Sequence, residues 1–127
     1  MPYSVSLSPD GTYLICRVTG EVTAEIAREF RSALLEMSLS TNVTLFLTDA
    51  RGTPNKSSVL DNYSYAYSDL KEIDFPRASR SAILVDPTDR SHDFVETVTR
   101  NAGYTVQVFH DEVAALAWLR EPRTMLS

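Results

Sequence analysis

Tyr3, Val5 and Leu7 alternate with serines, a period of two that predicts a half-buried strand. Pro9-Asp10-Gly11-Thr12 then predicts a turn, because proline presets one backbone dihedral and glycine tolerates a positive one. Tyr13 to Val18 is read as the second arm of the hairpin. From Thr23, an expected N-cap, the period changes to that of a helix reaching about Met37, with Ile26, Phe30, Ala33, Leu34 and Met37 on one face. Val43 to Thr48, apolar on both faces around Phe46, predicts a central strand. A loop with Gly52 and Pro54 follows, then a helix from Ser57 to Glu72 with Val59, Tyr63, Ala66, Tyr67 and Leu70 on one side. Ser81 to Val85 is the fourth expected strand, stopped by Pro87. Ser91 is expected to cap a helix that turns Phe94, Val95, Val98 and Ala102 inward, ended by Gly103. Thr105 to Phe109 is the fifth strand, and Asp111 caps a last helix whose inner residues include Leu116 and Leu119.

The resulting order, ββαβαβαβα, predicts an α/β fold. Its five-stranded mixed sheet has an N-terminal hairpin and otherwise parallel strands, accompanied by four helices. With 127 residues, the chain forms one expected domain over 1–120 and a loose tail over 121–127 that contains Pro122. No apolar run approaches the ~20 residues of a membrane span, and Met-Pro-Tyr-Ser does not open like a signal peptide, so a cytoplasmic location is expected. The net charge of −5 and the scattered cations argue against a nucleic-acid partner. The single cysteine, Cys16, lies in an apolar strand and reads as a small buried hydrophobe.

A parallel sheet gathers its functional residues at the carboxyl ends of its strands. Asp49, Asp86 and His110 each fall at such an end, with Arg51 close by, forming a candidate ligand rim for a magnesium ion or a phosphate. The competing reading, which the local residue types favour, is that acids ending strands shape the next turn or cap the next helix. Asp49-Ala50-Arg51 puts a cation where a phosphoryl-aspartate enzyme needs a second acid. The glycines are too dispersed for a phosphate loop. His92 and His110 with a lone Cys16 cannot close a zinc site, and His92 is expected to be exposed in the first turn of its helix. Neither a catalytic set, a metal nor a cofactor is therefore expected.

From the Tyr3–Val18 hairpin to the final helix, the chain resembles the SpoIIAA-like fold of STAS and STAS/SEC14-like domains. The resemblance is sharpest in Thr44-Leu45-Phe46-Leu47-Thr48-Asp49-Ala50-Arg51 and in Val106-Gln107-Val108-Phe109-His110-Asp111 leading into Ala114-Ala115-Leu116-Ala117-Trp118-Leu119. It implies a non-catalytic regulatory or protein-interaction domain, with another protein or a second copy (a homodimer) as partner. The regulatory serine of the antagonist members matches Ser57 in Lys56-Ser57-Ser58-Val59-Leu60, and Ser58 stands beside it. A phosphate there would meet the positive end of the following helix. Lys56 stands where those members have an acid and Val59 where they have glycine, and an ordinary N-cap role for Ser57 or Ser58 is the simpler reading. The SEC14 part of the name implies the alternative of a small-molecule sensor for a lipid or nucleotide. Tyr63, Tyr67, Phe75 and Phe94 would then line an apolar pocket, against the simpler reading that they pack as core. Tyr65, on the far side of its helix, is the candidate interface residue.

Overall fold

A computed structural model of the chain describes residues 3–20, 23–53 and 79–121. Its elements are β1 (Tyr3–Leu7), β2 (Leu14–Val18), α1 (Ala24–Thr41), β3 (Leu45–Asp49), β4 (Arg80–Leu84), α2 (Asp93–Asn101), β5 (Thr105–Phe109) and α3 (Glu112–Arg120). The strands form one sheet in chain order; β1 pairs antiparallel with β2, and β2 through β5 run parallel. This is the expected five-stranded mixed sheet. Three helices are described where four were expected, because the span expected for the other, Ser57 to Glu72, lies outside the described residues. The tail beyond Glu121 lies outside them as well.

The period-two alternation gives the sheet two buried faces. Leu14, Cys16 and Val18 of β2 and Phe46 of β3 point to one face, where Phe30 and Leu34 of α1 cover them. Ile15, Leu45, Leu47, Ala82, Leu84 and Phe109 point to the other and meet Ala115 and Leu119 of α3. Phe46, Leu14, Leu84, Leu119, Val85 and Cys16 are fully buried, and each large apolar side chain removed from water contributes about 1.5–3 kcal/mol.

Local chemistry sets the element ends. Thr23 caps α1 by accepting the Ile26 N–H, and Asp111 caps α3 by accepting the Ala114 N–H at 2.9 Å, both as expected. α1 runs past Met37 to Thr41 and ends on Asn42, whose left-handed backbone (φ 65°) returns its N–H to the Ser38 carbonyl. The Ser38 hydroxyl then holds the Val43 carbonyl, so β3 begins at Leu45, later than the sequence suggests. Ser91 does not cap α2. Its N–H and hydroxyl both bond the Asp89 carboxylate, at 2.8 and 2.6 Å, making an Asx turn that leaves His92 at the N-cap with no side-chain bond to the helix. At the hairpin, Asp10 accepts from Ser8 and Thr12, and Arg120 reaches it at 3.0 Å, tying the end of α3 to the turn.

Candidate functional site

The carboxyl edge of the parallel strands is built around one tight turn, Ala50–Thr53, where the chain leaves β3. The turn closes with the Thr53 N–H on the Ala50 carbonyl at 3.1 Å. Gly52 supplies a positive φ of 78° at its third position, as a type II turn requires. Each residue of the turn is then fastened to a different part of the edge. The Ala50 N–H extends the ladder to the Leu84 carbonyl at 2.8 Å. Arg51 grips Asp49 with Nε and Nη2 at 3.0 and 2.8 Å, while its backbone N–H donates to the same carboxylate. The Gly52 N–H donates to Asp86 Oδ2 at 2.6 Å. Nε2 of His92 stands 3.1 Å from the Thr53 carbonyl; a carbonyl can only accept, so this nitrogen carries the proton.

The structure thus brings Asp49, Arg51, Asp86 and His110 into one network. His110 Nδ1 lies 3.0 Å from the Asp86 carbonyl and steadies the segment whose side chain holds Gly52. Four further residues join them. Arg17 reaches Asp49 at 3.4 Å because parallel pairing sets the two residues side by side, a register that the β2–β3 pattern could have revealed. Glu112, in the first turn of α3, meets Arg51 at 3.4 Å. Asp89 and His92 complete the set. His92 is 5% exposed rather than solvent-facing, because the Asx turn at Asp89 rotates it beneath Thr53. Its Nε2 lies 3.8 Å from the Asp89 carboxylate.

The electrostatics follow the geometry. The Arg51 guanidinium holds the Asp49 carboxyl below its usual range, against the opposing effect of burial, and Asp49 raises Arg51 in return. Burial works against the charge on Asp89, yet the Ser91 hydroxyl and N–H, with His92 and His110 nearby, bring its carboxyl below the usual range. The carboxylates at this edge spend their acceptors on guanidinium, hydroxyl and backbone N–H donors. Among the described residues no group of three or more His, Cys, Asp or Glu side chains is arranged to hold a metal ion. The arrangement is a clamp on the turn that launches residues 54–78.

Ser57, Ser58, Tyr63, Tyr65, Tyr67 and Phe75 lie outside the described residues. Phe94 is 38% exposed. An open groove of about 420 Å³ lies at the opposite, amino end of the strands, between Thr12, Arg80 and Leu119–Glu121, and Phe94 is not among its described lining residues. No helix among the described residues is long and apolar enough to cross a membrane.

Comparison with known proteins agrees with this architecture. The family model described as SpoIIAA-like matches residues 13–120. A solved structure of an uncharacterised DUF3478-family protein with a SpoIIAA-like fold, from Shewanella loihica, superposes with a TM-score of 0.56 at 22% identity, covering 92% of this chain and 91% of that one. At that identity the likeness concerns the fold alone. A search of curated proteins gives no match.

Proposed function

The chain belongs to the SpoIIAA-like family, and from that premise we propose that it is a non-catalytic, STAS-like regulatory or protein-interaction domain. One observation carries this reading: at the carboxyl edge, where a parallel sheet would engage a substrate, Asp49, Asp86 and the buried His92 bond the backbone of residues 51–53. Side chains engaged in that way act as a frame. The frame holds the Ala50–Thr53 turn, and the 54–78 segment that follows in sequence carries Ser57, at the position matching the family's regulatory serine, and Tyr65, the candidate contact residue. Phosphorylation of Ser57 would add about −1.5 to −2 of charge there, enough to make or break a contact with a protein partner.

The test immobilises the purified domain and compares the proteins it retains from lysate of its own source cells with those retained by Tyr65→Ala and Ser57→Glu. The reading expects one protein retained in stoichiometric amount by the wild type and lost from at least one variant. Identical retention by all three forms would remove it.

A further inference from the structure

The two edges of the sheet are treated differently. At β5 the Glu96 carboxylate of α2 accepts the Val108 N–H, and α2 packs alongside, so that edge strand is covered. At the other end, among the described residues, β1 pairs only with β2 and no strand bonds its outer side. We propose that this open edge pairs with the β1 edge of a second copy of the chain, antiparallel and centred on Val5, to give one continuous sheet.

The direction of the backbone groups sets the register. The Ser8 N–H bonds the Tyr13 carbonyl at 2.9 Å, which makes Ser8 and Tyr13 a hydrogen-bonded pair one step beyond Leu7↔Leu14. Alternation in an antiparallel ladder then turns Ser6 and Ser4 toward β2, and turns the N–H and C=O of Leu7, Val5 and Tyr3 outward. Those outward groups are spaced symmetrically about Val5. A dyad there sets Val5 opposite Val5 and Tyr3 opposite Leu7 on both sides, so that about six backbone hydrogen bonds form and no outward group of the strand is left over.

Side chains favour the same occupant. Tyr3–Leu7 carries no charge on a chain whose net charge is −5, so two copies meet here without opposing like charges. Leu7, on the face covered by α1 but 44% exposed, would lie across from the Tyr3 ring of the second copy. Exposed Ser4 and Ser6 face each other on the opposite side, where hydroxyl pairs are compatible. A five-residue strand pair falls short of the ~800 Å² per partner of a standard stable interface, so the dimer is a weak one. The pairing is read out at β1, whereas the proposed function is tested through Tyr65 and Ser57, so the failure of one is distinguishable from the failure of the other.

Sedimentation equilibrium from about 10 µM to about 1 mM spans the association range. The wild type is expected to approach twice the monomer mass at the top of this range. Ser4→Glu combined with Ser6→Glu sets like charges opposite each other in the proposed register and should weaken association by about tenfold. Mixing that variant with Ser4→Lys/Ser6→Lys should restore pairing as a heterodimer. Amide NMR of the wild type gives a second reading that needs no variant to fold. With rising concentration the Tyr3, Val5 and Leu7 amides should shift while those of Ser4 and Ser6, already bonded to β2, stay in place. A monomer at 1 mM, a dimer equally strong in the glutamate variant, or concentration-dependent shifts confined to other residues would each overturn the proposal.

Discussion

Replacing Asp49 with Asn tests the clamp at its most charged point, because the side chain keeps its shape and loses its charge. In the wild type the carboxylate accepts two bonds from the Arg51 guanidinium, at 3.0 and 2.8 Å, and one from the Arg51 N–H at 3.2 Å, with Arg17 at 3.4 Å. A buried charged hydrogen bond is worth about 1.5–3 kcal/mol, whereas an exposed ion pair is worth about 0.2–1. The Asp49 side chain is 9% exposed, but those of Arg51 and Arg17 are 44% and 62% exposed, so solvent screens much of the attraction. The expected loss is therefore about 1.5 kcal/mol, near the low end of the buried range, or a fall in Tm of about 5–6 °C for a chain of this size. The Asp49 pKa is depressed in the folded state, so its contribution is fully present above the unfolded value of 3.8 and is lost as the pH falls through the lower, folded value. Thermal melts of wild type and Asp49→Asn should thus differ most near neutral pH and converge below about pH 4. Equal melting at pH 7, or a gap as wide at pH 3 as at pH 7, would refute this reasoning.

Three other perturbations probe separate parts of the structure. Leu84→Ala, in the face covered by α3 and 1% exposed, should cost about 2–5 kcal/mol in urea unfolding; a loss under 1 kcal/mol would mean that this face is loosely packed. Asp111→Ala should cost about 1 kcal/mol and Asp111→Asn much less, since the cap needs an acceptor more than a charge; equal effects in calorimetry would point to the charge instead. Burial pushes the Cys16 thiol up to about 12, so a thiol reagent at pH 8 should leave the native protein unlabelled and react on unfolding, and rapid native labelling would contradict the burial.

Much of the architecture was legible because local and long-range preferences agree in it. The Thr105–Phe109 strand, the Thr23 and Asp111 caps and the Pro9–Thr12 hairpin turn lie where periodicity and turn chemistry put them. The misses occur where a polar side chain had two possible local roles. Ser91 reads as a cap, yet the Asp89 carboxylate two residues earlier takes both its donors, and this choice buries His92. The end of α1 was hidden by Ser38, Leu39, Ser40 and Thr41, which carry no apolar rhythm, although Asn42 was a readable stop signal. At the rim, the sequence located Asp49, Asp86 and His110 at strand ends. The bonds of Asp49 and Asp86 to the 51–52 backbone, and of His110 to the Asp86 carbonyl, depend on the approach of three strands, which no single segment encodes.

The central claim, that the carboxyl edge holds the turn leaving β3, is tested most directly by hydrogen exchange at the Gly52 amide. That amide donates to Asp86 Oδ2 across 34 residues of sequence. In the wild type it should exchange at least about tenfold more slowly than an open loop amide; Asp86→Ala should abolish that protection while leaving the Leu47 amide in the core unchanged. Free exchange of the Gly52 amide in the wild type would show an unengaged carboxylate and contradict the claim.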